Sequence, residues 1–141
     1  MDTHRATASL PWIDGPAVRA ALSPRAAVDA LEAALAAGLD PEADAPRTRV
    51  ATAAGQLLQM PSTRGTEVGT KLVTLTPDNP ERGLPVIQGV YVLFGAPGAP
   101  GQAPRAVLDG VELTGLRTSA VSTLGVRPVS YTHLRAHETS L

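Results

Sequence analysis

The sequence contains no cysteine, which excludes disulfides, thiolate metal ligands and a cysteine nucleophile. Aromatic residues make up only 3% of the chain, and no apolar run reaches the roughly 18 to 20 residues of a membrane-spanning helix. Neither charge sign dominates, since 12 basic and 13 acidic residues give a net charge of -1. The N-terminus lacks the apolar core of a secretory signal. We therefore expect a cytoplasmic protein without a nucleic-acid or membrane partner.

The 141 residues suffice for one domain with a core made mostly of Ala, Val and Leu. Residues 1–9 are polar and expected to be disordered, and Leu10 to Ile13 can form an edge strand. Asp14 is typical of an N-cap and predicts a short helix. Ser23, followed by proline, predicts the start of the chain's best amphipathic helix, which Gly38 would end.

After residue 46 the apolar pattern changes from a helical period to alternation, which indicates strands. Strands are predicted at 47–52, 56–61 and 68–75, with a polar loop around 62–66. The turn cluster TPDNPERG follows, and then a nearly continuous apolar run from Val86 to Phe94. Such a run is typical of a central strand buried on both faces. The predicted fold class is α+β, with N-terminal helices packed on a mixed, largely antiparallel sheet.

The C-terminal part begins with a Gly/Pro loop, GAPGAPGQAP, before an extended segment from Arg105 to Leu108. Asp109 and Gly110 predict a two-residue hairpin turn into a strand at Val111 to Leu113. Thr114 is then predicted to cap a helix. Residues 129–141 differ in composition from everything before them and resemble a spurious read-through ending, so we expect a non-native tail.

Two familiar kinds of site are disfavoured by their patterns. His133 and His137 stand four residues apart, but no third ligand accompanies them, and we predict no metal site. The GAPGAPG loop is not GxGxxG, and its prolines remove amide donors that a phosphate cradle needs. The chain therefore contains no dinucleotide-binding fingerprint.

Three cations remain as a candidate site. Arg47 and Lys71 fall on predicted strands, and Arg117 falls in the predicted first turn of a helix, where exposed amides favour anions. An α-amino-acid carboxylate needs positive charge and a planar fork of donors, which two arginines and a lysine can supply. Spacing alone leaves open the alternative that these are ordinary solvated cations.

Three segments of the sequence resemble a known protein family: RTRVATAAGQLLQMPS, GTKLVTLTPDNPERGLPVIQGVYVLF and AVLDGVELTGLRTSAVS. In order and spacing they resemble the N-terminal half of the ornithine cyclodeaminase/mu-crystallin family. The resemblance implies a substrate-binding and dimerisation domain at residues 10–128, which in the family precedes a Rossmann domain for NAD or NADP. It also implies a homodimer in which the sheets of two subunits associate.

The resemblance assigns roles to particular residues. Arg47, Lys71 and Arg117 are implied to bind the substrate carboxylate, and Met60 to line the pocket. Arg117 and Thr118 are implied to contact the cofactor. No catalytic residue is assigned, because the family's catalytic aspartate and its glycine-rich turn lie beyond the matched segments.

The implied chemistry is redox at the α-carbon of a small amino or imino acid, as in cyclodeamination, imine reduction or amino-acid oxidation. We therefore expect an N-terminal fragment of an NAD(P)-dependent enzyme, itself inactive. The alternative is a non-catalytic ligand-binding or dimerisation module of the mu-crystallin type. Val86 stands where some members have a cofactor-contacting threonine, so that contact is not predicted.

Overall fold

The structure is a computed structural model that describes residues 9–38, 43, 45–95 and 103–138, and the side chains only as far as residue 126. Several sequence predictions lie outside the described residues. These are the disorder of residues 1–8, most of the GAPGAPGQAP loop and the side chains of the tail.

Three helices and six strands make up the described part of the chain. The helices are α1 (Gly15–Ala21), α2 (Pro24–Ala36) and α3 (Gly110–Glu138). The strands are β1 (Trp12–Ile13), β2 (Thr48–Thr52), β3 (Gly55–Arg64), β4 (Glu67–Leu75), β5 (Ile87–Phe94) and β6 (Pro104–Asp109). A 3₁₀ turn at Asn79–Arg82 occupies the predicted turn cluster between β4 and β5.

The six strands form one sheet in the order β1-β6-β5-β4-β3-β2. Only β1 and β6 pair in parallel, and every other neighbouring pair is antiparallel. The predicted α+β fold with a mixed, largely antiparallel sheet is therefore confirmed. β5 is an interior strand, as expected, but the prediction that both of its faces are buried is wrong, since Ile87 is 50% exposed.

Two of the three predicted helix starts, Asp14 and Ser23, are confirmed by their capping contacts. The Asp14 carboxylate accepts a hydrogen bond from the amide of Ala17 at 2.9 Å, and the Ser23 hydroxyl accepts one from the amide of Ala26 at 3.2 Å. Each cap satisfies an amide that would otherwise lack a partner in the first turn. Gly38 follows α2 with a φ of 82°, the left-handed conformation in which glycine most easily ends a helix.

The core lies where α2 packs against α3 and where α1 and α3 contact one face of the sheet. This face, which carries Val73 and Ala106, is called the first face. Ala27, Val28 and Ala120 form the buried cluster between the two helices. Val73 of β4 and Ala106 of β6 are also buried. The small side chain of Ala120, only 2% exposed, lets the two helix backbones approach closely.

The predicted hairpin at Asp109 and Gly110 is wrong, because α3 begins there directly. The Asp109 carboxylate accepts hydrogen bonds from the amides of Val111 at 3.0 Å and Glu112 at 2.9 Å, which makes it an N-cap. A type I′ turn would need a positive φ at Gly110, and Gly110 has none. Glycine at this position instead allows the backbones of Gly110 and Gly89 to lie close together, since a β-carbon on Gly110 would lie 2.8 Å from the backbone of Gly89.

Two smaller boundary predictions also change. The polar loop expected around residues 62–66 is mostly strand, because β3 and β4 extend to a two-residue turn at Gly65 and Thr66, where Gly65 has a φ of 57°. Arg47 precedes β2 rather than lying within it.

The second face of the sheet is apolar and partly exposed. Trp12 and Val50 are 56% and 47% exposed, and a groove of about 460 Å³ runs along this face past Leu57, Leu72 and Val90. Within the described ranges, no helix combines the length and hydropathy needed to cross a bilayer.

Candidate functional site

Strand register brings predicted site residues into one row on the first face of the sheet. Met60 of β3 lies opposite Lys71 of β4, and Lys71 lies opposite Tyr91 of β5. Directly paired residues project from the same face with their β-carbons about 5 Å apart. Since Thr48 pairs with Gln59, Arg47 enters the same row beside Met60.

α3 crosses above this row, and the space between helix and sheet is a cavity of about 490 Å³. Its volume falls within the range of small-ligand sites. The wall combines three cations with hydroxyl and apolar groups from β3, β4, β5 and α3: Ala45, Arg47, Met60, Pro61, Ser62, Lys71, Tyr91, Leu113, Thr114 and Arg117.

Lys71, the chain's single lysine, lies at the centre of the cavity. Its ammonium donates a hydrogen bond to the hydroxyl of Thr114 at 3.4 Å. Partial burial lowers the pKa of Lys71 below its ordinary value, and the positive charges of Arg117 and then Arg47 lower it further. Both guanidinium groups are thus close enough to disfavour the charge on Lys71, and an anion between the three cations would relieve that repulsion.

The position of Arg117 corrects the sequence prediction. Because α3 begins at Gly110, Arg117 lies about two turns into the helix and does not share the exposed amides of the first turn. It reaches the cavity from the side of α3. Thr114, predicted to be the cap, is likewise inside the helix, where its hydroxyl donates to the carbonyl of Gly110 at 2.5 Å.

The four residues predicted to bind substrate, Arg47, Met60, Lys71 and Arg117, all line this one cavity. Thr118 does not join them. Its side chain is exposed, and it is not part of the cavity wall. The roles of all five residues stay predictions, while the convergence of the three cations is a feature of the structure.

Sequence reasoning missed Tyr91, which lies directly opposite Lys71. Burial raises the pKa of the Tyr91 phenol above its ordinary value, and the nearby Glu67 carboxylate raises it further, so the phenol stays protonated at neutral pH. Its signal in the sequence was a lone hydroxyl in the apolar run of β5. That signal became informative only once the strand register placed Tyr91 beside Lys71.

The wall composition decides what this cavity can bind. Among the residues that the structure describes, the wall includes no carboxylate, so all of its charged groups are positive. The described residues also contain no group of three or more His, Asp or Glu side chains placed to hold a metal ion. The arrangement suits a small organic anion, with guanidinium and ammonium donors for a carboxylate and hydroxyls for further polar atoms.

Comparison with known proteins points in the same direction. The model of the ornithine cyclodeaminase/mu-crystallin family matches residues 16–136, a range that extends into the segment expected to be a non-native tail. Delta(1)-pyrroline-2-carboxylate reductase 1 of Burkholderia multivorans is 44% identical over 75 residues, covering 53% of this chain and 23% of the relative.

Two solved structures share the fold. An archaeal alanine dehydrogenase dimer with bound NAD superposes with a TM-score of 0.69 at 26% identity, covering 83% of this chain and 36% of that one. The Delta(1)-pyrroline-2-carboxylate reductase of Thermococcus litoralis, in complex with NADH and L-proline, superposes with a TM-score of 0.67 at 25% identity, covering 83% and 37%. The chain thus spans under two fifths of the length of these proteins.

Proposed function

Because the chain belongs to the ornithine cyclodeaminase/mu-crystallin family, we propose that it forms the substrate-binding part of an NAD(P)-dependent enzyme acting at the α-carbon of a small amino or imino acid. In this proposal residues 10–128 are the substrate-binding and dimerisation domain. The observation that supports it most directly is the convergence of Arg47, Lys71 and Arg117 on one cavity.

The three cations hold the substrate carboxylate. Guanidinium groups offer paired donors that match the two carboxylate oxygens, and an ammonium adds a compact positive charge. Partial burial, and then the charges of Arg117 and Arg47, lower the pKa of Lys71, so a bound carboxylate stabilises its charged form. Fixing the carboxylate also fixes the α-carbon relative to the sheet, which is a contribution by positioning.

Reduction of a cyclic imino acid fits this site and the names of its relatives. In that reaction the C=N bond gains a hydride at carbon and a proton at nitrogen, and the nicotinamide cofactor supplies the hydride. The described residues do not form a complete dinucleotide site, since their one parallel strand pair, β1 with β6, is not joined by a single crossover helix. We propose that the cofactor binds mainly elsewhere in the enzyme, with Arg117 and Thr118 near the boundary.

The apolar second face of the sheet is proposed to pair two copies of the chain. Trp12, the single tryptophan, is 56% exposed on this face, and a groove continues from it past Leu57 and Leu72. An exposed apolar groove of this kind marks an interaction surface. Association is expected to double the mass in sedimentation equilibrium and to shift Trp12 fluorescence to the blue; a monomer at all concentrations contradicts it.

The binding proposal is tested with the single lysine as the reporter. L-proline is titrated into the purified chain while the Lys71 side chain is followed by NMR after reductive ¹³C-methylation, which labels only Lys71 and the N-terminal amine. We expect saturable binding and a rise in the pKa of Lys71. Lys71→Met and Arg117→Gln should each weaken binding at least about tenfold, as expected for a lost charged contact. Lys71→Met lacks the reporter, so its affinity and that of the parent chain are compared by calorimetric titration.

The matched control is Arg82→Gln, because Arg82 is an exposed arginine in the 3₁₀ turn, away from the cavity. It should leave the affinity unchanged. Equal losses in Arg82→Gln and Arg117→Gln would show a general charge effect and contradict a carboxylate site at the cavity.

A further inference from the structure

Tyr91 has a placement in the cavity that carboxylate binding does not explain. In the row of paired residues Tyr91 of β5 lies directly opposite Lys71 of β4, and Met60 lies one strand further on. A ligand held by the cations therefore lies next to the Tyr91 ring. No residue described by the structure hydrogen bonds to its hydroxyl, so packing rather than a polar partner fixes the ring.

The packing partner is Gly69. A β-carbon built on Gly69 would lie 2.0 Å from the Tyr91 hydroxyl oxygen, 2.5 Å from the ring carbon that bears it and 2.8 Å from the next ring carbon. Real β-carbons do not approach other atoms so closely. Gly69 has no positive φ, so the backbone does not require glycine there. The absent side chain therefore makes room for the end of the Tyr91 ring.

This arrangement determines how much of the cavity stays open. With glycine at position 69, the ring lies down against β4. A larger residue there would push the ring away from its present position. Because Tyr91, Lys71 and Thr114 line one cavity, a displaced ring would take up space in it.

We propose that Tyr91 sets the upper limit on the ring size of the acid bound beside Lys71. Gly69 leaves room for the Tyr91 ring and thereby keeps the cavity large enough for the acid. The inference rests on the proposed function, since it concerns the acid that the three cations hold. It makes Tyr91 a residue that determines specificity, with no chemical step of its own.

The test compares three acids of increasing size, acetate, L-proline and L-pipecolate, by the Lys71 titration described above. Tyr91→Val removes the ring and keeps a residue suited to a strand. We expect it to improve pipecolate binding relative to proline about tenfold, the effect of roughly one methylene group in a pocket. Acetate, which has no ring, is the reference against which the other two affinities are expressed, and Tyr91→Phe, which keeps the ring, should preserve the preference for proline.

Gly69→Ala provides the second arm. It should weaken pipecolate binding more than acetate binding in the parent chain, and it should have no effect in the Tyr91→Val background, where no ring is displaced. Circular dichroism of each variant shows whether it is folded. Tyr91→Val remains informative if Gly69→Ala does not fold.

The outcomes separate this inference from the proposed function. If Lys71→Met abolishes binding of all three acids in calorimetric titration, which needs no lysine label, while Tyr91→Val leaves the proline preference unchanged, the carboxylate site stands and the size limit is overturned. The size limit is also overturned if Gly69→Ala weakens binding equally in both backgrounds. If the parent chain binds none of the acids, the proposed function fails and this inference fails with it.

Discussion

The ammonium of Lys71 lies 3.4 Å from the hydroxyl oxygen of Thr114, a contact that joins β4 to α3 across the cavity. The Thr114 hydroxyl donates its own hydrogen to the carbonyl of Gly110, as threonines inside helices commonly do. Its lone pairs are therefore free to accept from Lys71. α3 thus orients the ammonium without adding a negative charge that would compete with a bound carboxylate.

Replacing Thr114 with valine, which has the same shape, removes this acceptor. We expect L-proline to bind about two- to fivefold more weakly, as for one modest hydrogen bond. Thr114→Ser keeps the hydroxyl and should bind normally, and the chemical shift of the labelled Lys71 should change only in Thr114→Val. Weaker binding in Thr114→Ser together with normal binding in Thr114→Val would point to packing of the threonine methyl group instead.

The pH dependence of stability follows from the lowered pKa of Lys71. The unfolded chain holds the lysine proton with an ordinary pKa of 10.5, so between the lowered pKa and 10.5 the unfolded state binds more protons. The free energy of unfolding therefore rises with pH across that window. Below the lowered pKa the cost of burying a charged Lys71 among arginines is fully present.

Lys71→Met should remove this rise and should make the chain more stable at pH 7. Urea unfolding from pH 7 to 10 measures both effects. The range stops at 10 because the raised pKa of Tyr91 gives the opposite slope above that pH. The exposed Arg82→Gln variant should keep the parent slope, and a Lys71→Met slope equal to the parent's would contradict the electrostatic argument.

The cap at the start of α3 predicts a graded effect at Asp109. Asp109→Ala removes the acceptor for the amides of Val111 and Glu112 and should cost about 1 kcal/mol of unfolding free energy. Asp109→Asn retains an acceptor oxygen and should lose only a fraction of that. Thermal or urea unfolding distinguishes them; a similar loss in both variants would assign the effect to charge at the helix terminus.

The contact between α2 and α3 predicts a steric effect at Ala120, which is 2% exposed. Ala120→Leu inserts three carbons into a packed interface and should destabilise the chain by about 1 to 3 kcal/mol. Val121→Leu is the matched control, because Val121 is adjacent and 50% exposed, and it should be nearly neutral. An equal response at both positions would contradict close packing of the two helices.

Local signals in the sequence were sufficient for much of the fold. Asp14 and Ser23 each precede a proline and a helical pattern, and both cap helices in the structure. Capping depends on residues within one turn, so a short window of sequence contains the information. The alternating strands were predictable for the same reason.

Asp109 and Gly110 show where local reading failed. The dipeptide favours a hairpin turn, but Asp109 also makes a good helix cap, and tertiary contact decided between them. Gly110 lies so close to the backbone of Gly89 that no side chain would fit, and the sequence separation of the two glycines hides that contact. The displaced helix start also moved Arg117 out of the first turn.

Predicting all the residues of the site required knowledge of which residues pair between neighbouring strands. The resemblance indicated Arg47, Lys71 and Arg117, yet Tyr91 and Gly69 became candidates only when pairing placed them next to Lys71. A shift of one residue in β5 would turn Tyr91 to the other face of the sheet. Composition and spacing alone cannot determine on which face of the sheet Tyr91 lies.

The parallel pairing of β1 with β6, in which Trp12 lies opposite Val107, has a consequence for the order of folding. As a ribosome releases the chain from its N-terminus, β1 emerges first but finds its neighbour only after nearly the whole domain has been synthesised. Contacts so distant along the chain form late because a large loop must close. β1, the first strand to be synthesised, is thus among the last strands to join the sheet. Until then the edge of β6 has no neighbouring strand.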